Sequence, residues 1–238
     1  MSIIALIPAR GGSKRIPRKN IRDFAGKPMI AWSIMRAQAS GCFDAVVVST
    51  DDEEVAAIAR EHGAEVPFMR PAELADDHAT TLDVIVHALG ALADSAWAPV
   101  EQLCCLYATA PFVQAGDLQR GLHALDASGD GYAVSVAEYA APVQRALRLN
   151  QDGRLAMLAP EYVTVRSQDL EPAWHDAGQF YWGYTAAFEQ GLPLLSEAAV
   201  PVVLPSHRVQ DIDTEDDWRR AEVLFRVLGE LGELEASS

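Results

Sequence analysis

Residues 7–20 read Ile-Pro-Ala-Arg-Gly-Gly-Ser-Lys-Arg-Ile-Pro-Arg-Lys-Asn and gather five cations, Arg10, Lys14, Arg15, Arg18 and Lys19, around two adjacent glycines. The whole chain carries a formal net charge of -15, so this cluster runs against its surroundings. Gly11 and Gly12 permit backbone shapes and close approaches that a Cβ resists. Cations beside exposed N–H groups make a site for a polyanion, a triphosphate above all. The spacing is neither Gly-x-x-x-x-Gly-Lys-Ser/Thr nor Gly-x-Gly-x-x-Gly, so the common phosphate loop and the dinucleotide fingerprint are both absent. A solvated surface turn is the competing reading of the same residues.

The second chemical signal is Val209-Gln210-Asp211-Ile212-Asp213-Thr214-Glu215-Asp216-Asp217. In an extended segment Asp211 and Asp213 point to one side. Two carboxylates on one face suit Mg²⁺, which takes oxygen ligands and shares its shell with substrate phosphates. Thr214 and Asp217 form the Ser/Thr-x-x-Asp/Glu start of a helix. Capping therefore explains Glu215, Asp216 and Asp217 and leaves the Asp211/Asp213 pair over.

These residues need a scaffold, and the apolar pattern supplies one. Ile3–Pro8, Ala45–Ser49, Gln102–Tyr107 and Gly131–Val136 read as strands, and Ala45–Ser49 is a continuous apolar one, as a parallel sheet covered on both faces requires. Between them, Pro28 to about Ser40 reads as a helix closed by Gly41. Asp51-Asp52-Glu53-Glu54 opens another where the helix dipole favours carboxylates. Thr80 or Thr81 caps a third, reaching about Asp94. Glu65–Met69 is expected as a short strand. The alternation argues for an α/β fold with a doubly wound, mostly parallel sheet. After Glu138 the pattern changes. Arg145–Asn150 and Arg154–Leu158 read as a hairpin turning at Asp152-Gly153, and 159–178 show no period. Strands return at Gln179–Thr185 and Ala199–Leu204. A last helix starts at Asp213 or Thr214 and runs to about Leu231, followed by a frayed Glu-rich tail to Ser238. We therefore expect one domain over 1–238 holding an insertion at 138–178.

With 238 residues, half of them apolar, the chain can bury a substantial core. No apolar run is long enough to span a bilayer, and no signal-peptide pattern opens the chain. Three cysteines make neither a disulfide framework nor a zinc pattern and suit a reducing cytoplasm. Lys and Arg gather on no helix face, which argues against nucleic-acid binding.

In order along the chain, Ala9-Arg10-Gly11-Gly12-Ser13-Lys14 with Pro17-Arg18-Lys19-Asn20, Val48-Ser49-Thr50-Asp51, Arg70-Pro71-Ala72-Glu73-Leu74, Thr109-Ala110-Pro111 and Asp211-Ile212-Asp213-Thr214 resemble the acylneuraminate-type cytidylyltransferases. The resemblance spans about residues 3–225. Tyr107 to Phe112, Arg166 to Leu170 and His175 to Trp182 resemble its pseudaminic acid branch more closely, since sialic acid enzymes typically carry Arg-Pro-Asn-Gly where this chain has His175-Asp176-Ala177-Gly178.

That resemblance implies a Rossmann-like nucleotidyltransferase of three α/β/α layers that joins CTP to an acidic nine-carbon sugar with Mg²⁺ on Asp211 and Asp213. It places the nucleotide among Ala9, Arg10, Gly11, Gly12, Ser13, Lys14, Asn20, Arg70 and Thr81. Arg10 and Lys14 would hold the β- and γ-phosphates, Lys19 would approach the α-phosphate, and Asn20 and Arg70 would read cytosine. Without the resemblance, Asn20 is a turn residue, Arg70 a surface charge, and capping explains Thr81 equally well. The sugar is expected among Tyr107, Arg166, His175, Gln179 and Tyr181, with Arg145 as a second cation. His175 reads equally as a satisfied polar residue, while Phe180 and Trp182 point to the core. The family's habit implies a homodimer joined through 138–178. The alternatives are the same reaction on N-acetylneuraminic, legionaminic or 3-deoxy-octulosonic acid, and a non-catalytic nucleotide-binding protein.

Overall fold

In the computed structural model of the protein, which describes residues 2–76 and 78–234, strand β1 (Ser2–Pro8) leads to a small hairpin, β2 (Asp23–Phe24) and β3 (Lys27–Pro28), and then to helix α1 (Met29–Ser40). Next come β4 (Ala45–Ser49), α2 (Glu53–Glu61), α3 (Thr81–Leu92), β5 (Val100–Leu106), α4 (Ala115–Ser128) and β6 (Tyr132–Glu138). The C-terminal part holds β7 (Leu147–Leu149), β8 (Leu155–Met157), β9 (Trp174–Tyr184), α5 (Thr185–Glu189), β10 (Ala199–Val203) and α6 (Glu215–Glu230). Six strands form one mixed sheet, ordered β10-β6-β9-β5-β1-β4. Every pairing is parallel except those of β9, which runs antiparallel to β5 and β6.

The strand pleat divides the core in two. Ala5 and Ile7 of β1, Val48 of β4, Cys104 and Leu106 of β5 and Trp182 of β9 face one side, where α1, α2 and α4 cover them. Ile4, Leu6, Val47, Leu103, Cys105 and Tyr181 face the other, under α3 and α5. Successive residues of a strand point to opposite faces, so strands buried on both faces read as continuous apolar runs. This is the expected three-layer α/β/α arrangement. A third apolar cluster, built on Phe24, Trp32, Phe112 and Trp218, seats α6 on the start of α1.

The helix ends follow local chemistry. Gly41 closes α1 at φ 65, Asp52 caps α2, and Thr80 and Thr214 form capping boxes with Asp83 and Asp217. Four details depart from expectation. Glu65–Met69 is not a strand: Pro67 lacks a donor, and the segment touches β4 only through single bridges at Val47–Glu65 and Thr50–Met69. The hairpin turns through 150–154 rather than at Asp152-Gly153 alone, because Asn150 Oδ1 accepts from the Asp152 and Arg154 amides. Residues 174–178 belong to β9, since Glu138 pairs with Trp174, so the excursion beyond the sheet is 139–173. Helices α4 and α5 are not anticipated above. Residues 235–238 of the tail lie outside the described ones. Among the described residues no helix is long and apolar enough to cross a membrane.

Candidate active site

A cleft of about 370 Å³ opens at the carboxyl ends of β1 and β5, where an open α/β sheet places its ligands. From the loop after β1 it is lined by Arg10, Ser13, Lys14, Arg15, Lys19 and Asn20, and from elsewhere by Arg70, Thr81, Tyr107, Thr109 and Asp213. Thr109 is a lining residue that the sequence reading quotes within the Thr109-Ala110-Pro111 motif but gives no site role.

The cationic loop is tethered from behind. The Gly11 amide donates to Asp51 Oδ1 at 2.9 Å, the Ala9 amide to Ser49 O at 2.9 Å, and Asn20 Nδ2 to Arg10 O at 2.9 Å. A Cβ on Gly11 would lie 2.5 Å from Asp52 Oδ2, whereas Gly12 has open space and no positive φ. The close approach expected of both glycines is thus required only of Gly11. Arg18 departs from the other four cations. At φ 56 it sends its guanidinium back to α2, with Nη1 2.5 Å from Asp52 Oδ2 and a further bond to Glu54. Its hydrogen bond holds the Asp52 carboxyl below its ordinary pKa.

The acidic segment is brought to the front of the same loop. Ile16 and Ile212 are both buried in the third apolar cluster, each contributing about 1.5–3 kcal/mol on full burial. That clasp sets Asp213 against the cations. Arg15 Nη2 lies 2.8 Å from Asp213 Oδ2, Lys19 Nζ lies 3.3 Å from Asp213 Oδ1, and Lys19 also donates to Ile212 O at 2.8 Å. Asp211 flanks the buried Ile212 on its other side, beside the cleft rather than in its lining. Burial, then the neighbouring Asp213 charge, raises the Asp211 pKa. Two oxygen ligands that repel each other fit a hard divalent cation. Among the described residues no group of three or more His, Cys, Asp or Glu could hold a metal, so the rest of such a shell would come from substrate and water.

In the cleft wall, Arg70 is buried, with Nε 3.1 Å from Ser49 Oγ and another bond to Ser49 O. Burial lowers its pKa. Thr80 takes the capping role and leaves Thr81 free to meet the Tyr107 hydroxyl at 2.9 Å. Tyr181 packs edge-on to Tyr107, ring centroids 5.7 Å apart, and donates to Asp176 Oδ2 at 2.5 Å. Gln179 is buried and donates to Arg208 O at 2.9 Å. Phe180 and Trp182 are fully buried on the other face. Five expected sugar contacts lie outside the cleft lining: the buried Gln179 and Tyr181, and three more. Arg166 is exposed and paired with Asp169 at 2.7 Å. His175 leans on Tyr139, ring centroids 4.9 Å apart. Arg145 is bound to Val165 O within the excursion.

A crevice at the carboxyl ends of β1 and β5, with a tethered cationic loop on one side and an acidic segment on the other, suits a polyanion held in an α/β fold. A family model described as cytidylyltransferase matches residues 4–159. A pseudaminic acid cytidylyltransferase of Campylobacter jejuni is 41% identical over 227 residues, covering 95% of this chain and 97% of that protein. A CMP-N,N'-diacetyllegionaminic acid synthase of Legionella pneumophila is 33% identical over 236 residues, with 95% and 97% covered. Among solved structures, CMP:2-keto-3-deoxy-manno-octonic acid synthetase complexed with CTP shares the fold at a TM-score of 0.70 and 19% identity, over 95% of this chain and 99% of that one. The chain belongs to the cytidylyltransferase family and is an enzyme of that class.

Proposed function

We propose that the protein joins CTP to pseudaminic acid, giving CMP-pseudaminic acid and pyrophosphate. The meeting of cationic loop and acidic segment in one cleft, with Arg15 2.8 Å from Asp213, carries the chemistry. Likeness to the Campylobacter jejuni enzyme over nearly the whole chain carries the choice of sugar. Arg10 and Lys14 hold the β- and γ-phosphates, and Lys19 approaches the α-phosphate. Arg70, buried in the cleft wall, faces the base, and Asn20 supports it by fixing the Arg10 carbonyl. The anomeric hydroxyl gives up its proton to water as its oxygen bonds to the α-phosphorus in line, the bond to the β-phosphate oxygen breaks, and pyrophosphate leaves with the electron pair. Fixed cations offset the charge that develops on the leaving group. Asp211 and Asp213 would hold Mg²⁺, which when bound neutralises phosphate charge and lowers the pKa of a coordinated hydroxyl.

The active form is a homodimer. The excursion and the start of β9 expose Leu147, Leu149, Leu155, Leu158, Val163 and Trp174, each at least half accessible. A second copy of the chain would cover them, and Arg166, on the same excursion, would then serve the neighbouring cleft. Three free thiols, Cys42, Cys104 and Cys105, suit the reducing cytoplasm.

The same reaction on legionaminic acid is a second reading, favoured by the Legionella relative. Pyrophosphate release from CTP, Mg²⁺ and a panel of acidic sugars decides. We expect the highest kcat/KM with pseudaminic acid. No release with any sugar ends the proposal, and light scattering at monomer mass ends the dimer.

A further inference from the structure

Strand β9 is interrupted beside the cleft residue Tyr107, whose amide donates to Gln179 O. Val136 of β6 pairs with Asp176, and Val134 pairs with Tyr181. Ser135 alone therefore stands opposite four residues, 177–180. Bulges of this kind re-aim side chains and gather beside active sites. This one is closed by three features. Gly178 adopts φ 59, its amide donates to Asp176 Oδ1 at 2.8 Å, and the Phe180 amide donates to Ser135 Oγ at 3.0 Å. The fold-back brings Tyr181, five residues along, onto the second carboxylate oxygen at 2.5 Å.

Closing the turn does not need a charge. An asparagine would accept from the Gly178 amide as well as an aspartate does. The charge matters for Tyr181. An ionised carboxylate only accepts, so the buried Tyr181 hydroxyl must spend its one proton on Asp176 and keep its lone pairs for whatever else it meets. With an asparagine in place of Asp176, the amide nitrogen would face Tyr181 and reverse the polarity. Tyr181 stays a donor because burial, then Tyr107 and Asp176, push its pKa far up. Its neighbour Tyr107 reaches Thr81, and both Tyr107 and Thr81 line the cleft. Gln179, inside the bulge, is 3% exposed, and its Oε1 has no hydrogen-bond partner among the described residues. The bulge thus holds one buried oxygen acceptor, Gln179 Oε1, beside the wall that Tyr107 presents to the cleft.

We propose that Asp176 is a positioning residue for the sugar: by fixing Tyr181 as a donor, it leaves the oxygens of the Tyr181–Tyr107 wall, of which Tyr107 lines the cleft, as acceptors for the hydroxyl and acylamino N–H groups of the acidic sugar. This rests on reading the cleft as a CTP and sugar site.

Asp176→Asn and Tyr181→Phe, singly and together, test it. Each single variant should raise the KM for pseudaminic acid about tenfold, as loss of a hydrogen bond to a charged group does. The double variant should be no worse than the stronger single one, because one unit is removed. The dissociation constant for CTP, measured by calorimetry without sugar, should stay within about threefold, well short of the sugar effect. An unchanged sugar KM in Asp176→Asn, multiplying effects in the double variant, or an equal loss of CTP affinity overturns the assignment. If Asp176→Asn does not fold, Tyr181→Phe decides alone by the same split between sugar KM and CTP affinity. A wild-type enzyme that turns over no acidic sugar overturns the proposed function and this inference together. An active wild type with an indifferent Asp176→Asn overturns only the inference.

Discussion

Two acidic runs open helices in this chain, and they do different work. Asp51-Asp52-Glu53-Glu54 leads into α2 and Asp211 to Asp217 into α6. Both supply a capping side chain and first-turn carboxylates, as the helix dipole favours. The first run reaches the back of the cationic loop: Asp51 takes the Gly11 amide, and Asp52 and Glu54 take Arg18. The second reaches its front through Asp213. The Asp52 carboxyl is pulled below its ordinary pKa by Arg18, while that of Asp211 is pushed above it by burial and Asp213. Similar acidic composition becomes scaffold in one place and a candidate metal site in the other. The difference lies in Asp211, which is held against the like charge of Asp213, whereas Asp52 is paired with Arg18.

The largest test of that contrast is isosteric. Asp213→Asn and Asp211→Asn should each cut turnover by about 10²–10³, the scale of a lost transition-state contact, with circular dichroism unchanged. Asp52→Ala should keep most turnover and instead lower stability by about 1–2 kcal/mol, the cost of a lost cap, read by urea denaturation. Comparable turnover losses in both runs would erase the distinction. Gly11→Ala attacks the tether, because its Cβ meets Asp52. It should cost about 1–3 kcal/mol and raise the KM for CTP, while Gly12→Ala, with open space around it, should do neither.

Acidity sharpens the comparison by a smaller amount. The folded Asp52 pKa is depressed, so its contribution to stability is present above the unfolded value of about 3.9 and is lost as pH falls through the folded pKa. The folded Asp211 pKa is raised, so its contribution is full below about 3.9 and is lost as pH rises through the folded pKa. Urea denaturation across the acid range should therefore show Asp52→Asn flattening the acid loss of stability. Asp211→Asn should leave that loss in place and make the protein slightly more stable near neutrality.

Much of this organisation is local and so legible in the chain. The β1, β4 and β5 runs, the capping threonines and the cationic loop declare themselves within a few residues. Contacts at long separation do not. Helix α4 opens with Gln114 and Asp117 rather than a Ser/Thr cap and contains Gly116 and Gly121; the latter is required because a Cβ there would press on Trp182. Its usable signal was Gly129 at φ 77 behind apolar Leu118, Leu122 and Leu125. The buried pair of Arg208 with Asp117, 2.5 Å apart across 91 residues, has no sequence signature. Nor has the turning away of Arg18, which needs α2 behind it. Asp176 escaped because the bulge breaks the two-residue alternation on which a strand reading depends.

The smallest expected effect concerns the front of the loop. Both oxygens of Asp213 are held, Oδ2 by Arg15 and Oδ1 by Lys19. A divalent cation arriving alone must displace a cation and sit beside two positive charges. A triphosphate would draw Arg15 and Lys19 onto itself and release the carboxylate. Arg15 is the better probe, since it is the more exposed of the two and its removal leaves the Lys19 contacts in place. An exposed ion pair is worth about 0.2–1 kcal/mol, so Arg15→Ala in the nucleotide-free protein should tighten Mn²⁺ binding about two- to fivefold, read from the free-ion paramagnetic resonance signal. Asp213→Asn should abolish that gain. Tightening that survives in Arg15→Ala/Asp213→Asn would mean that the ion binds elsewhere, and the second acidic run would then be scaffold like the first.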